Sequence, residues 1–246
     1  MGQKKLKRFA EIATFDHVLE YPEGMSGQWH QHFHNSHAII LELACGKGEY
    51  SIGLAQLHPD HNFIGVDIKG NRIWVGAKQA LAKELQNVAF MRTQIGMIET
   101  HFNKDEVDGI WLPFPDPQLR ISKHKKRLTH PLFLRKYMQI LKPGAFIHLK
   151  TDSPVLFRFT KEVIGMYGLE LFEESEDISS KSPQSPELLI KTHYEGLNIA
   201  RSNRIHYLKF ALRGNLDPSL DEKLAEWVKA SETGAKEGNV DEEETD

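Results

Sequence analysis

The sequence predicts an α/β fold in which a mostly parallel central sheet carries helices on both faces. Short apolar runs of strand length alternate along the 246 residues with amphipathic segments of helix length. This alternation is typical of parallel sheets, because each helix crosses back over the sheet to the next strand. Hydrophobic residues form 40% of the chain and charged residues 26%, a balance that excludes disorder of the whole chain.

Seven apolar runs are predicted as strands. The first, IILELA, has the composition of a buried strand, and the fifth, AFIHLKT, follows a Lys-Pro-Gly turn. The predicted strands are residues 39–44, 62–68, 88–93, 107–114, 145–151, 169–174 and 204–212. Open parallel sheets bind ligands beyond the carboxyl ends of their strands, so the loops that follow these strands are the candidate binding segments.

Helices are predicted between the strands from apolar spacing and from end signals. The first follows Gly48 and ends near Pro59. The second has apolar residues at i, i+3, i+7, i+8 and i+11, which are Trp74, Ala77, Leu81, Ala82 and Leu85. The third begins with Thr129 as its N-cap, and the fourth runs from Ser153 to Gly168.

Charge is distributed unevenly along the chain. The net charge is −3, but residues 217–246 carry 11 acidic residues against 3 lysines, which leaves residues 1–216 at +5. Residues 117–151 hold nine Lys/Arg and no acidic residue, which favours an anionic partner. We expect a basic N-terminal extension over 1–37, an α/β domain over 38–216, and an acidic tail over 217–246. The tail is predicted to begin with a short helix and otherwise to be disordered. The basic N-terminus is either an arm that reaches RNA or a solubilising end.

Composition also excludes several kinds of site and compartment. Cys45 is the only cysteine, which excludes an internal disulfide and a Cys-rich zinc site. No apolar run reaches the ~18 residues of a transmembrane helix, and the N-terminus lacks the apolar core of a secretory signal. His32, His34 and His37 have no further ligands at metal-site spacing, so no metal is predicted. We expect a protein of the reducing cytoplasm, either a monomer or a homodimer.

The loop after the first strand is a candidate cofactor site. Glu42 is followed by Gly46 and Gly48, whose lack of a side chain lets the backbone turn tightly and approach a ligand. Asp67 ends the second strand, where a carboxylate accepts hydrogen bonds from ribose hydroxyls. Ser51 occupies the third glycine position of a dinucleotide fingerprint, which favours S-adenosylmethionine over a nicotinamide cofactor. The alternative is a structural glycine turn, with Glu42 capping a helix or pairing with Lys47.

The loop after the fourth strand carries the second candidate. Asp116 stands in Pro-Phe-Pro-Asp-Pro, whose three prolines make a stiff, extended loop. The basic residues that follow at once are Arg120, Lys123, Lys125, Lys126 and Arg127. At this edge of the sheet they are placed to hold the phosphates of a polynucleotide. The alternatives are a solvated turn for Asp116 and a solvated face for the basic run.

These motifs together resemble the bacterial tRNA (guanine-N7-)-methyltransferases. They run in order over about residues 38–210, as ELACGKGEYSIGLA, FIGVDIK, FPDP followed by KHKKRLTHPLFL, ILKPGAFIHLKTD, and THYE. FPDP with the basic stretch is highly specific, whereas the first loop alone indicates only a class I methyltransferase. The resemblance implies a Rossmann-like class I methyltransferase fold, S-adenosylmethionine as cofactor, and methylation of N7 of guanine in tRNA, at position 46 of the variable loop.

The resemblance also implies roles for individual residues. Glu42, Asp67 and Gln94 stand at its S-adenosylmethionine contacts, and Asp116 stands at its catalytic, cofactor-side aspartate. The substrate-binding positions are occupied by Arg120, Asp152, Thr192, His193, Tyr194 and Glu195. The sequence departs from the family pattern at Ala44, Gln94, Gln118 and Leu197, where the family commonly has glycine, aspartate, tryptophan and a basic residue.

Two other functions remain open from the sequence. One is a class I methyltransferase that acts on a small molecule or a protein, which leaves the basic residues around Asp116 unexplained. The other is an RNA-binding module that kept the fold and lost catalysis, against which Glu42, Asp67 and Asp116 argue.

Overall fold

The computed structural model describes residues 2–180, 185–193, 195 and 204–237. Within them, eight strands form one sheet in the order β1-β4-β3-β2-β5-β6-β8-β7. The strands are β1 (Val18–Glu20), β2 (Ala38–Leu43), β3 (His61–Asp67), β4 (Val88–Arg92), β5 (Val107–Pro113), β6 (Leu141–Thr151), β7 (Glu170–Ser175) and β8 (His206–Ala211). The first six in that order pair in parallel, and β8 is antiparallel to both β6 and β7.

Helices cover both faces of the sheet, as predicted. They are α1 (Gly2–Ile12), α2 (Trp29–His32), α3 (Glu49–Leu57), α4 (Gly70–Ala82), α5 (Pro131–Met138), α6 (Pro154–Met166) and α7 (Asp221–Glu237). One apolar cluster joins α1, α3 and α4 to one face. A second joins α2, α5, α6 and α7 to the other. Successive side chains of β3 point to opposite faces of the sheet, so Phe63 belongs to the first cluster and Ile64 and Val66 belong to the second.

The order of the strands places a crevice in the middle of the sheet. From β2 the chain moves outward to β3 and β4, and then returns to the other side of β2 to add β5 and β6. The strand order therefore reverses between β2 and β5, and ligands bind beyond the carboxyl ends at such a point.

Two local predictions were wrong. In α4 the predicted Ala77 is buried, but the other buried residues are Gly70, Ile73, Gly76 and Ala80, whereas the predicted Leu81 is 50% exposed. The reason is close packing, because a Cβ at Gly76 would lie 2.5 Å from the Lys47 carbonyl oxygen. Small residues therefore face the sheet. In α5 the N-cap is His130, whose side chain accepts a hydrogen bond from the Leu132 amide, and not the predicted Thr129.

The two ends of the chain pack onto the domain more than the sequence predicts. β1 pairs with β4 at the edge of the sheet, and α1 packs on α4, where the Trp74 indole donates to Glu11. At the other end, α7 buries Leu224 and Val228 completely. Within the described residues, segments on the outer side of both expected boundaries, 37/38 and 216/217, therefore pack against the α/β domain.

Candidate active site

A cavity of about 640 Å³ opens at the carboxyl ends of β2, β3, β5 and β6. It lies at the predicted crevice. Three aspartates that the sequence singles out line it together: Asp67 at the end of β3, Asp116 after β5 and Asp152 after β6. Other lining residues are Ala44, Lys69, Arg72, Phe114, Leu119 and Val155.

The first loop is shaped by Asp67. One carboxylate oxygen accepts the Gly46 amide at 2.9 Å and the other accepts the Lys69 amide at 2.8 Å. Ala44 has φ +60°, a left-handed conformation that favours glycine. Gly48 has φ +69°, and a Cβ there would lie 2.3 Å from the Phe90 ring. The loop is thus a tight turn, of which Ala44 lines the cavity, whereas the predicted Gly46 and Gly48 are not among the lining residues.

Glu42 lies beneath the loop and does not line the cavity. Its carboxylate accepts the Ser51 amide at 2.7 Å and the Ser51 hydroxyl as well. Ser51 is in the first turn of α3, so Glu42 satisfies a helix amide that has no partner within the helix. Burial raises the pKa of Glu42 to about 8, although the hydrogen bonds from Ser51 act in the opposite direction. This geometry is the helix-capping alternative that the sequence left open.

The loop that carries Asp116 has two residues with positive φ angles, and hydrogen bonds from Arg127 hold its backbone in place. Phe114 and Gln118 have φ +48° and +47°. The Asp116 carboxylate is exposed and accepts the Gln118 amide at 3.0 Å. Arg127 donates to the Pro117 carbonyl at 3.0 Å and to the Gln118 carbonyl at 3.3 Å. Backbone held in such conformations on both sides of a carboxylate is typical of functional sites.

The structure divides the basic stretch into two parts. Arg127 is completely buried, with its guanidinium 4.6 Å from the centre of the Phe159 ring, so it supports the Asp116 loop from inside. Arg120, Lys123, Lys125 and Lys126 are exposed on and beside a short 3₁₀ helix, Ile121–Lys126. We call Lys123, Lys125 and Lys126 the rim lysines. The sequence does not distinguish Arg127 from them, because all belong to one run of charge.

The remaining residues predicted to bind the cofactor or the tRNA lie in two other regions of the structure. Gln94 is exposed and lines a separate cavity with Tyr21 and Met97. The described part of the THYE motif lies beside the end of β6, and within it the Glu195 amide donates to the Thr192 hydroxyl at 3.2 Å. His193 is in the same turn, and Tyr194 lies outside the described residues.

One residue of this region escaped the sequence analysis. Lys150, near the end of β6, is completely buried, and its ammonium donates to Glu195 at 3.0 Å. The available signal was a lysine within an otherwise apolar strand, since a buried ammonium needs partners.

The chain is similar to known methyltransferases. A family model described as "Putative methyltransferase" matches residues 36–208. The chain is 46% identical to a tRNA (guanine-N(7)-)-methyltransferase of Bacteroides thetaiotaomicron, over 86% of this chain and 87% of that protein. It is 44% identical to one of Porphyromonas gingivalis, over 82% of this chain and 86% of that protein.

A solved structure bears on the fold alone. The 16S rRNA (adenine(1408)-N(1))-methyltransferase of Catenulisporales acidiphilia matches with a TM-score of 0.56 at 13% identity, over 76% of this chain and 93% of that one. This likeness and the strand order confirm the predicted Rossmann-like class I methyltransferase fold. Among the described residues, no helix is long and apolar enough to cross a membrane. The extent and identity of the sequence matches show that the chain belongs to the tRNA (guanine-N7-)-methyltransferase family.

Proposed function

We propose that this enzyme transfers the methyl group of S-adenosylmethionine to N7 of guanine in tRNA, at guanine 46 of the variable loop. One observation carries the proposal. Asp67 and Asp116 line one cavity at the reversal point of the sheet, and exposed basic residues follow the Asp116 loop directly. A small cofactor and a polyanion therefore have adjoining places to bind.

The cavity residues fit S-adenosylmethionine. A volume of about 640 Å³ is in the range of small-molecule sites. Each Asp67 oxygen accepts one backbone amide and keeps a second lone pair for a ribose hydroxyl. Ala44, which is in a left-handed conformation, lines the same cavity, so the first loop contributes to its wall. When bound, the cofactor supplies an electrophilic methyl group on a sulfonium centre.

Asp116 has the chemistry for the guanine side of the site. Guanine N7 carries a lone pair and no proton, so its methylation needs no general base, and positioning supplies most of the acceleration. The product ring is positively charged. An Asp116 carboxylate beside that ring stabilises the charge as it develops, and the Arg127 bonds to Pro117 and Gln118 keep the carboxylate in place.

The rim lysines are suited to hold tRNA phosphates. They are exposed on one short helix that begins five residues after Asp116, so their charge lies beside the position proposed for the target guanine. Contacts to phosphate orient a nucleic acid without reading its sequence, and the cavity selects the base. Arg120 adds a fourth exposed cation next to the same loop.

The test is methyl transfer from radiolabelled S-adenosylmethionine to unmodified bulk tRNA. N7-methylguanosine is identified by strand scission after reduction of its charged ring, and the cleavage position identifies the nucleotide. A tRNA with adenine in place of guanine 46 is the matched control and should accept no label. Label on another base atom, or on small molecules or proteins in place of tRNA, would refute the proposal.

A further inference from the structure

Lys150 occupies an unusual place for a lysine. It is the last residue but one of β6, its exposed fraction is 0%, and Asp152 of the cavity follows two residues later. An ammonium group removed from water is stable only when its hydrogen-bond donors are all used. The identity of its partners therefore shows what the residue holds together.

All three donors of the Lys150 ammonium point to one segment. They reach the Leu188 carbonyl at 2.9 Å, the Ile190 carbonyl at 2.9 Å and the Glu195 carboxylate at 3.0 Å. An ammonium has three donors, so these bonds use its full capacity. We call residues 186–193 and 195, which carry part of the THYE motif, the segment 186–195. This segment is attached at three points to the end of β6.

The same residue contacts the Asp116 loop and α3. Its ammonium lies 5.5 Å from the ring centre of Phe114, and its backbone carbonyl accepts the Phe114 amide at 2.7 Å. On the other side it lies 5.5 Å from the ring of Tyr50 in α3, whose hydroxyl donates to the Glu187 carbonyl at 2.6 Å. Lys150 therefore joins the Asp116 loop, α3 and the segment 186–195.

We propose that Lys150 is a positioning residue for methyl transfer, which holds the segment 186–195 in register with the Asp116 loop so that tRNA meets both at once. The inference rests on the proposed function, and it assigns the Glu195 carboxylate to Lys150. The fold alone does not require this arrangement. A buried ion pair contributes little to stability compared with well-packed apolar side chains of similar volume.

The test compares Lys150→Met with Lys142→Met. Lys142 lies at the other end of the same strand and pairs with Asp108 at 2.6 Å, so its variant loses an ion pair far from the cavity. For Lys150→Met we expect kcat/KM for tRNA to fall about 10²-fold, the loss that a misplacement of about 1 Å produces, while S-adenosylmethionine affinity stays unchanged. Lys142→Met should change neither quantity.

Hydrogen–deuterium exchange provides a readout that does not depend on activity. In Lys150→Met the amides of residues 186–193 should lose protection, while those of β2 and β3 keep theirs. If the wild-type enzyme methylates no tRNA, the proposed function fails, and this measurement still decides whether Lys150 holds the segment. Exchange that is unchanged in the segment, or lost equally over the whole sheet, would overturn the inference.

A second variant keeps the test valid if Lys150→Met does not fold. Glu195→Gln leaves the lysine in place and replaces the ammonium–carboxylate ion pair with a weaker bond from the ammonium to a neutral amide oxygen. It should lower kcat/KM for tRNA less than Lys150→Met does, again without a change in cofactor affinity. Wild-type kinetics for tRNA in Glu195→Gln, or in a folded Lys150→Met, would show that Lys150 has no positioning role.

Discussion

Asp116→Asn separates the charge of the proposed catalytic residue from its shape. The Asp116 carboxylate accepts the Gln118 amide at 3.0 Å, and the carbonyl oxygen of an asparagine accepts the same bond. The turn and the Arg127 anchors therefore remain, and only the negative charge is removed. Any loss of rate then reports on the electrostatic interaction with the guanine ring.

The magnitude follows from distance and solvent. Two unit charges about 4 Å apart interact by about 1 kcal/mol in open water and by about 4 kcal/mol near a protein surface. Asp116 is exposed, so the effect depends on the guanine excluding water from it. We expect kcat to fall by about 10²- to 10³-fold, the range measured for one preorganised electrostatic contact. Because the charge acts on the transition state, affinity for the cofactor should not change.

A matched control exists in the same chain. Asp217 also precedes a proline, and its carboxylate accepts the Ser219 amide at 3.0 Å, which is the turn that Asp116 makes. Single-turnover assays with saturating cofactor should show full activity for Asp217→Asn and the loss for Asp116→Asn. A fully active Asp116→Asn enzyme, or an equal loss in both variants, would refute the assigned role.

Three further predictions concern charge, folding and pH. Replacing the three rim lysines with glutamine should make tRNA binding less sensitive to salt. In filter binding over a salt series, the slope of log affinity against log[salt] should fall in magnitude by about 0.7 to 0.9 for each phosphate that the lysines no longer neutralise. An unchanged slope would show that these lysines are solvent-exposed charges that do not contact tRNA phosphates. Removing residues 217–246 should destabilise the domain by about 3–6 kcal/mol, because two completely buried side chains of α7 are removed and Arg135 loses Asp221. A chain ending at residue 237 keeps these interactions, and equal urea midpoints for the two truncations would contradict the reasoning. Because burial raises the pKa of Glu42 to about 8 from 4.5, protonation of its carboxyl stabilises the native state at low pH, and this stabilisation is lost as pH rises through that window. Glu42→Gln does not titrate, so its free energy of unfolding relative to wild type should increase between about pH 5 and about pH 8 by at most about 1.4 kcal/mol per pH unit and level off above that range. A constant difference across this range would show that Glu42 is ionised throughout it.

The local features of this protein could be predicted from its sequence because they depend on neighbouring residues. Apolar runs and their end signals placed β2 to β8 within a few residues, except that β6 begins at Leu141, four residues before the predicted start. The Ser153 N-cap is confirmed by its bond from the Leu156 amide. The sequence singles out Asp67, Asp116 and Asp152 separately. Because the ligand sites of parallel sheets lie beyond the carboxyl ends of the strands, it also predicts that the three aspartates lie close together.

The tertiary structure decided what depends on contacts between distant parts of the chain. Arg127 and Lys123 have the same charge in the sequence, but only the packing of Arg127 against Phe159 places it inside. The acceptors of Lys150 lie about 40 residues further along the chain, so no local pattern indicates them. α7 likewise has an acidic, tail-like composition, and its burial follows from packing against α6 and the 3₁₀ helix Ile121–Lys126, which are distant in sequence. Sequence periodicity shows which residues are suited to the interior, whereas burial also needs a partner surface, and only the folded chain supplies that surface.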